Sequence, residues 1–342
     1  MSLASAIKTG DVTELPSRRD EDWRWTDLRG LIRALPPAAP EHHGDIPVGP
    51  FAELTRAETV FVNGRRVSDA ETSSGVVALR FIALADKASQ GASHALVVKP
   101  GESAVLLESH EGRANGYVSD LALDIAVGEG AFLERIVLVD DDAEAVNVVT
   151  AEIALAPGAR YAQTVLTSGA RRQRIETRVS HPGAHAQVRL DGAYLLDGQR
   201  HADLTTVVTH AGVDGITSQL TKGMVTDQAR GVFQGRIVVS PGADQTDARM
   251  GHHALILSDR AEVDAKPELL IFADDVSCAH GNTIGALDED ALFYAEQRGI
   301  PEAEAKAMLT EAFVGEVVER IEHEVAREVA VAWVARKLGS AE

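Results

Sequence analysis

Over residues 76–285 almost no segment holds a helical period for three turns. Short runs that alternate apolar with other side chains are broken repeatedly by turn residues. In AHAQVRLDG, Ala184, Ala186, Val188 and Leu190 alternate with His185, Gln187, Arg189 and Asp191, which places the aliphatic set on one face of a strand. Ile175, Thr177 and Val179 do the same in IETRVS. Turn chemistry recurs at Pro100-Gly101, Gly128-Glu129-Gly130, Pro157-Gly158-Ala159, Pro182-Gly183-Ala184, Gly212-Val213-Asp214-Gly215 and Pro241-Gly242-Ala243, at uneven intervals that make no strict repeat. A β-sandwich and a β-solenoid both fit this pattern. Apolar residues make up 45% of the chain but aromatics only 4%, which favours the solenoid, because coils about 4.8 Å apart need thin aliphatic side chains stacked in rows.

The flanks read differently. Residues 1–75 mix short helical signals with loops such as ALPPAAPEHHGDIPVGP at 34–50, too often punctuated for a long element, and are expected to form a helical and loop-rich cap. Residues 286–342 switch to a helical period. LDEDALFYAEQRG has Asp288 as N-cap and Gly299 as the residue after its end. Pro301 is expected at the first position of the next helix, where Met308, Leu309, Ala312, Phe313, Val317 and Ile321 trace an apolar stripe that Val325, Val329 and Trp333 continue.

Charge and motifs narrow the function. A net charge of -19 repels phosphate backbones, so no nucleic acid is expected. A single cysteine allows no intrachain disulfide, and neither a signal pattern nor a membrane-length apolar run is present, so a cytoplasmic protein with no membrane contact is expected. No P-loop, dinucleotide fingerprint or nucleophile elbow occurs, and Asp274-Asp275, read as adjacent strand residues, would face opposite ways.

The single cysteine is the most specific signal. In CAHGNTIG, Cys278 and His280 stand two apart, so on a strand they share a face and can reach one metal together. Alternatively Cys278 is a small buried hydrophobe and His280 a turn residue. Two ligands fall short of the four or so that iron-sulfur clusters and structural zinc need, so a functional pair is half of a site that another chain completes. His252 and His253 should point oppositely, Pro182-Gly183 keeps His181 and His185 from aligning, and Asp140, Asp141 and Asp142 read as a solvated loop. Trp23 and Trp25, in RRDEDWRWTDLRGL, read as an anchor of the cap on the core, with a partner-binding tip as the alternative.

KPELLIFADDVSCAHGNTIGALDEDALFYAEQRGI, residues 266–300, closely resembles the signature of the SufD family of the Suf iron-sulfur cluster assembly system. RRDEDWRWTDL resembles that family's N-terminal element, and GHHALILSDRAEVDAKPEL its last solenoid coils; Gly281-Asn282-Thr283 fits SufD better than the sister subunit SufB, with Asn282 where Ala is commoner. The resemblance implies a mainly β protein, a right-handed parallel β-helix over 76–285 flanked by N- and C-terminal helical regions. It further implies a non-catalytic scaffold that pairs with SufB through the end of the β-helix and docks the SufC ATPase on residues around Leu287, Phe293, Met308, Leu309, Phe313 and Ile321. His280 and Cys278 would then face a SufB cysteine and share a transient Fe-S cluster with that subunit. No cofactor is expected to stay tightly bound to the isolated chain, which can pair with itself when SufB is absent. The rival expectations are a solenoid enzyme acting on carbohydrate and an inert oligomerisation module.

Overall fold

The computed structural model describes residues 1–70 and 75–339. Its strands form two sheets, parallel throughout except for one hairpin. The larger sheet contains β1 (Glu58–Val62), β2 (Arg65–Ser68), β3 (Gly75–Ala83), β5 (Ser103–Gly112), β7 (Phe132–Asp140), β9 (Arg160–Thr167), β11 (Gln187–Leu196), β13 (Ile216–Val225), β15 (Asp247–Ile256) and β17 (Ser277–Gly285). The smaller contains β4 (Ser89–Val98), β6 (Val118–Val127), β8 (Val146–Leu155), β10 (Arg172–His181), β12 (His201–His210), β14 (Arg230–Val239) and β16 (Glu262–Ile271).

From β3 onward the chain visits the two sheets alternately and so winds as a β-solenoid with two strands per coil. Strands of the larger sheet start 27 to 31 residues apart, and this drift is why the turn signals look uneven in the sequence. Left-handed glycines close several turns, among them Gly158 (φ 66°) and Gly242 (φ 78°). Because the sheets are parallel and in register, equivalent side chains stack in rows along the lumen between them. One row runs Leu133, Tyr161, Val188, Thr217, Ala248 and ends at Cys278.

Each sheet's outer face is also covered, which explains strands that are apolar on both sides. On the larger sheet lie α3 (Glu302–Val318) and α4 (Glu324–Leu338), whose Val314, Val317, Val318 and Trp333, with Ile321 from the turn between them, pack with Ile136, Leu138, Leu166 and Leu195. On the smaller sheet lies the N-terminal segment, where α1 (Leu3–Thr9) and the loop after it bring Leu3, Leu15, Leu28 and Ile32 onto Val118, Val146 and Val148. The tryptophan motif does anchor it: Trp23 lies 4.6 Å from the Arg174 guanidinium, which is itself buried and bonded to Glu176, Asp203 and the Asp22 carbonyl. Thr26 donates to the same Asp203 carboxylate at 2.5 Å.

Several local expectations are revised. Strands begin at Glu58, inside the segment read as a cap, because β1 pairs in parallel with β3 and extends the larger sheet. Asp191 is buried, since the end of α3 covers its face and places Arg320 3.1 Å away. Asp141 is no solvated loop residue: it is buried and accepts hydrogen bonds from Tyr117, Asn147 and Gln173. Asp274 and Asp275 sit in a bend between β16 and β17, not on a strand. Pro301 caps α3 from outside its first turn.

Candidate functional site

Among the described residues the last strand, β17, pairs with β15 alone, and its other edge is open. Register puts Cys278 beside Ala248, His280 beside Met250 and Asn282 beside His252, so Cys278, His280 and Asn282 occupy lumen-facing positions in a coil that no further coil covers. The thiol is half-buried against an apolar cluster that includes Phe233, Ile237, Ala248 and Met250, whereas the imidazole is exposed. Burial pushes the Cys278 thiol up from its ordinary value, with partial relief from a hydrogen bond donated by the Ala248 amide. It therefore rests protonated at neutral pH, and a metal or sulfur acceptor must displace that proton.

The surroundings suit a neighbouring polypeptide. Phe272 is 62% exposed, and Leu270, Ile271 and Ile284 are also exposed on this coil. SCAHGNTIG carries no Lys, Arg, Asp, Glu or Pro, the residues that ordinarily block an edge strand. The parallel edge at β16 does carry them, in EVDAKPELLI. Among the described residues, no three His, Cys, Asp or Glu side chains gather into a metal-holding group. Cys278 and His280 are thus brought to one face, but supply at most two ligands.

The other candidates separate. His252 is fully buried and His253 only partly, on opposite faces of β15 as expected. His181 is buried and stacks on His210 at 4.3 Å, while His185 is exposed.

The helical residues divide into two sets. Phe293, 61% exposed on α2 (Glu289–Gln297), and Met308, 51% exposed on α3, are open to solvent, with Leu287 and Leu309 half-buried nearby in sequence. Phe313 is half-buried under Lys222, whose Nζ lies 4.2 Å from its ring. Ile321 is fully buried with Trp333 and belongs to the chain's own core, so it offers no docking contact. The sequence stripe mixed two sides of the helix: Val317 and Ile321 are buried with Thr310, Val314 and Val318, whereas Met308 is exposed and Leu309 and Phe313 are half-buried.

The family model described as the SUF system FeS cluster assembly SufBD core domain matches residues 81–313. The chain belongs to the SufBD family. It is 28% identical to the iron-sulfur cluster assembly protein SufD of Escherichia coli, over 98% of this chain and 91% of that protein. It is 32% identical to SufD of Bacillus subtilis, over 41% of this chain and 32% of that protein. A SufBD family protein of Mycobacterium bovis matches at 26% over 91% of this chain and 86% of its own length. These likenesses make the chain a SufD-type iron-sulfur cluster assembly protein. Among the described residues, no helix is long and apolar enough to cross a membrane.

Sequence reasoning passed over two features of this chain. One is the buried ion network beneath Trp23. The other is a hydrogen-bonded line from Tyr194 through His252 to Asn282. Alternation puts Tyr194, His252 and Asn282 on lumen faces and Arg174, Glu176 and Asp203 on outer ones, but only the coil length reveals which of them are neighbours.

Proposed function

We propose that this chain is a scaffold subunit that completes an iron-sulfur assembly site together with a SufB-type partner. The observation that carries this is the placement of Cys278 and His280 on one face of an uncovered, unguarded terminal strand. The partner pairs along β17, covers Phe272 and Ile284, and supplies the missing ligands, a cysteine foremost. The cluster is cargo on this reading. A site split between two chains releases its product when they separate, whereas four ligands on one chain would hold it. The SufC ATPase docks on the exposed side of α2 and α3 around Phe293 and Met308, and its ATP-driven motion pulls on these helices to open the interface. The chain itself carries no catalytic residue, and the assembly works in the cytoplasm.

The test is co-expression with SufB and SufC, anaerobic purification, and measurement of iron and sulfide. His280→Ala should leave the complex intact, because the side chain is exposed, while lowering bound iron and sulfide together at least severalfold. Unchanged cluster content would assign the imidazole to the surface and end this reading.

A further inference from the structure

Asn282 stands two residues beyond His280 on the same face of β17, about 7 Å further along the strand. Its Oδ1 lies 2.6 Å from Nδ1 of His252. A carboxamide oxygen only accepts, so Nδ1 carries the hydrogen and His252 donates. The ring is fully buried and burial holds its pKa down to about 4, so it is neutral and Nε2 keeps a lone pair. That lone pair accepts from the Tyr194 hydroxyl at 2.9 Å. The Phe233 ring lies parallel to the imidazole, with centroids 4.7 Å apart and planes inclined by 4°, and prevents it from tilting.

The reach of Tyr194 is built into the sequence. Tyr194 belongs to β11 and His252 to β15, with β13 between them. The residue of β13 in register with Tyr194 is Gly223, where a Cβ would lie 2.1 Å from the tyrosine ring; at Gly231 on β14 it would lie 2.4 Å away. Two glycines thus vacate the space through which the tyrosine crosses a whole strand. The outcome is an exposed amide whose oxygen is held from below, and among the described residues no side chain engages its Nδ2.

We propose that Asn282 is a third functional group of the terminal site, fixed by His252 and Tyr194 so that its two N–H bonds point outward and donate to anionic sulfur held beside Cys278 and His280. This rests on the assembly-site reading given above. Sulfide or thiolate sulfur bridging two chains carries negative charge, and a pre-oriented amide stabilises it without contributing a ligand. His252 and Tyr194 act through Asn282 and are positioning residues.

The experiment uses the full complex with SufB and SufC, loaded anaerobically with limiting iron and sulfide. Asn282→Ala should assemble normally yet hold roughly tenfold less sulfide, the scale of one charge-assisted hydrogen bond. The Fe-S stretching bands of its residual cluster should also lose most of the shift that transfer to heavy water produces in the parent complex. Tyr194→Phe, which keeps the ring and removes only the hydroxyl, should give a smaller loss in the same direction. If His280→Ala depletes the cluster while Asn282→Ala keeps both content and isotope shift, the role of Asn282 is refuted and the assembly site stands. If neither variant has an effect, the assembly site falls and this inference falls with it.

Discussion

His201 shows how a single side chain, on the covered outer face of the smaller sheet, sets acid sensitivity. The ring is buried, and its Nε2 donates to the Trp25 carbonyl at 3.1 Å. Burial first, then the nearby Arg172 charge, hold its pKa down to about 4. A folded-state value below the unfolded 6.5 means that protons bind the unfolded chain better. The stabilisation is therefore complete above about pH 6.5 and is lost as pH falls through 4. Asp191, pushed up to about 7, and Asp120, up to about 6, work the other way, since burial favours their protonated forms. The informative quantity is the difference between variant and parent. His201→Gln, which keeps an amide donor for Trp25 and removes the titration, should reduce the stability lost between pH 7 and pH 4 by up to roughly 3 kcal/mol in urea unfolding. Parallel curves would show that His201 does not set the acid limb.

Helices α2 and α3 follow different rules although they are adjacent in sequence. In α2, Asp288 caps the first turn by accepting from the amides of Asp290 and Ala291, and none of its residues is buried. In α3 one side is locked onto the larger sheet and the other is free. Phe293→Asp combined with Met308→Asp should therefore abolish capture of the SufC ATPase while leaving thermal stability within about 2 °C of the parent, because surface changes cost little. Ile321→Asp should instead cost more than about 3 kcal/mol, as an unpaired charge enters a sealed core. Capture that survives the double substitution would place docking elsewhere. The helix ends were legible because a capping Asp and a terminating Gly act locally. So was the alternation of Val188 and Leu190, which reports one face of a strand. Burial of Ile321, Asp141 and Asp191 was not legible, because it depends on elements far away in sequence covering them. At the site, local spacing put Cys278 and His280 on one face, but it could not reveal that Asn282 meets His252 thirty residues earlier.

At the scale of the whole molecule, a solenoid must end, and the open edge of β17 has to be paired or protected. The sequence protects β16 with Pro267 and charged neighbours and leaves β17 unprotected, so the isolated chain offers a second copy the same edge and the same exposed Ile284. An antiparallel pairing of two β17 strands about a twofold axis satisfies both edges at once. Opposing it is a charge of -19 on each copy, a long-range repulsion that salt screens. Self-pairing should accordingly be concentration-dependent and strengthen with ionic strength, the reverse of an association driven by ion pairs. Light scattering of the purified chain should show dimers growing between about 0.05 and 0.5 M salt, and Ile284→Lys should remain monomeric throughout. Added SufB should convert the homodimers into heterodimers, since both pairings compete for one edge. A parent chain that stays monomeric at every salt concentration would mean that β17 alone cannot close the solenoid, and that the SufB-type partner must contribute surface beyond this strand.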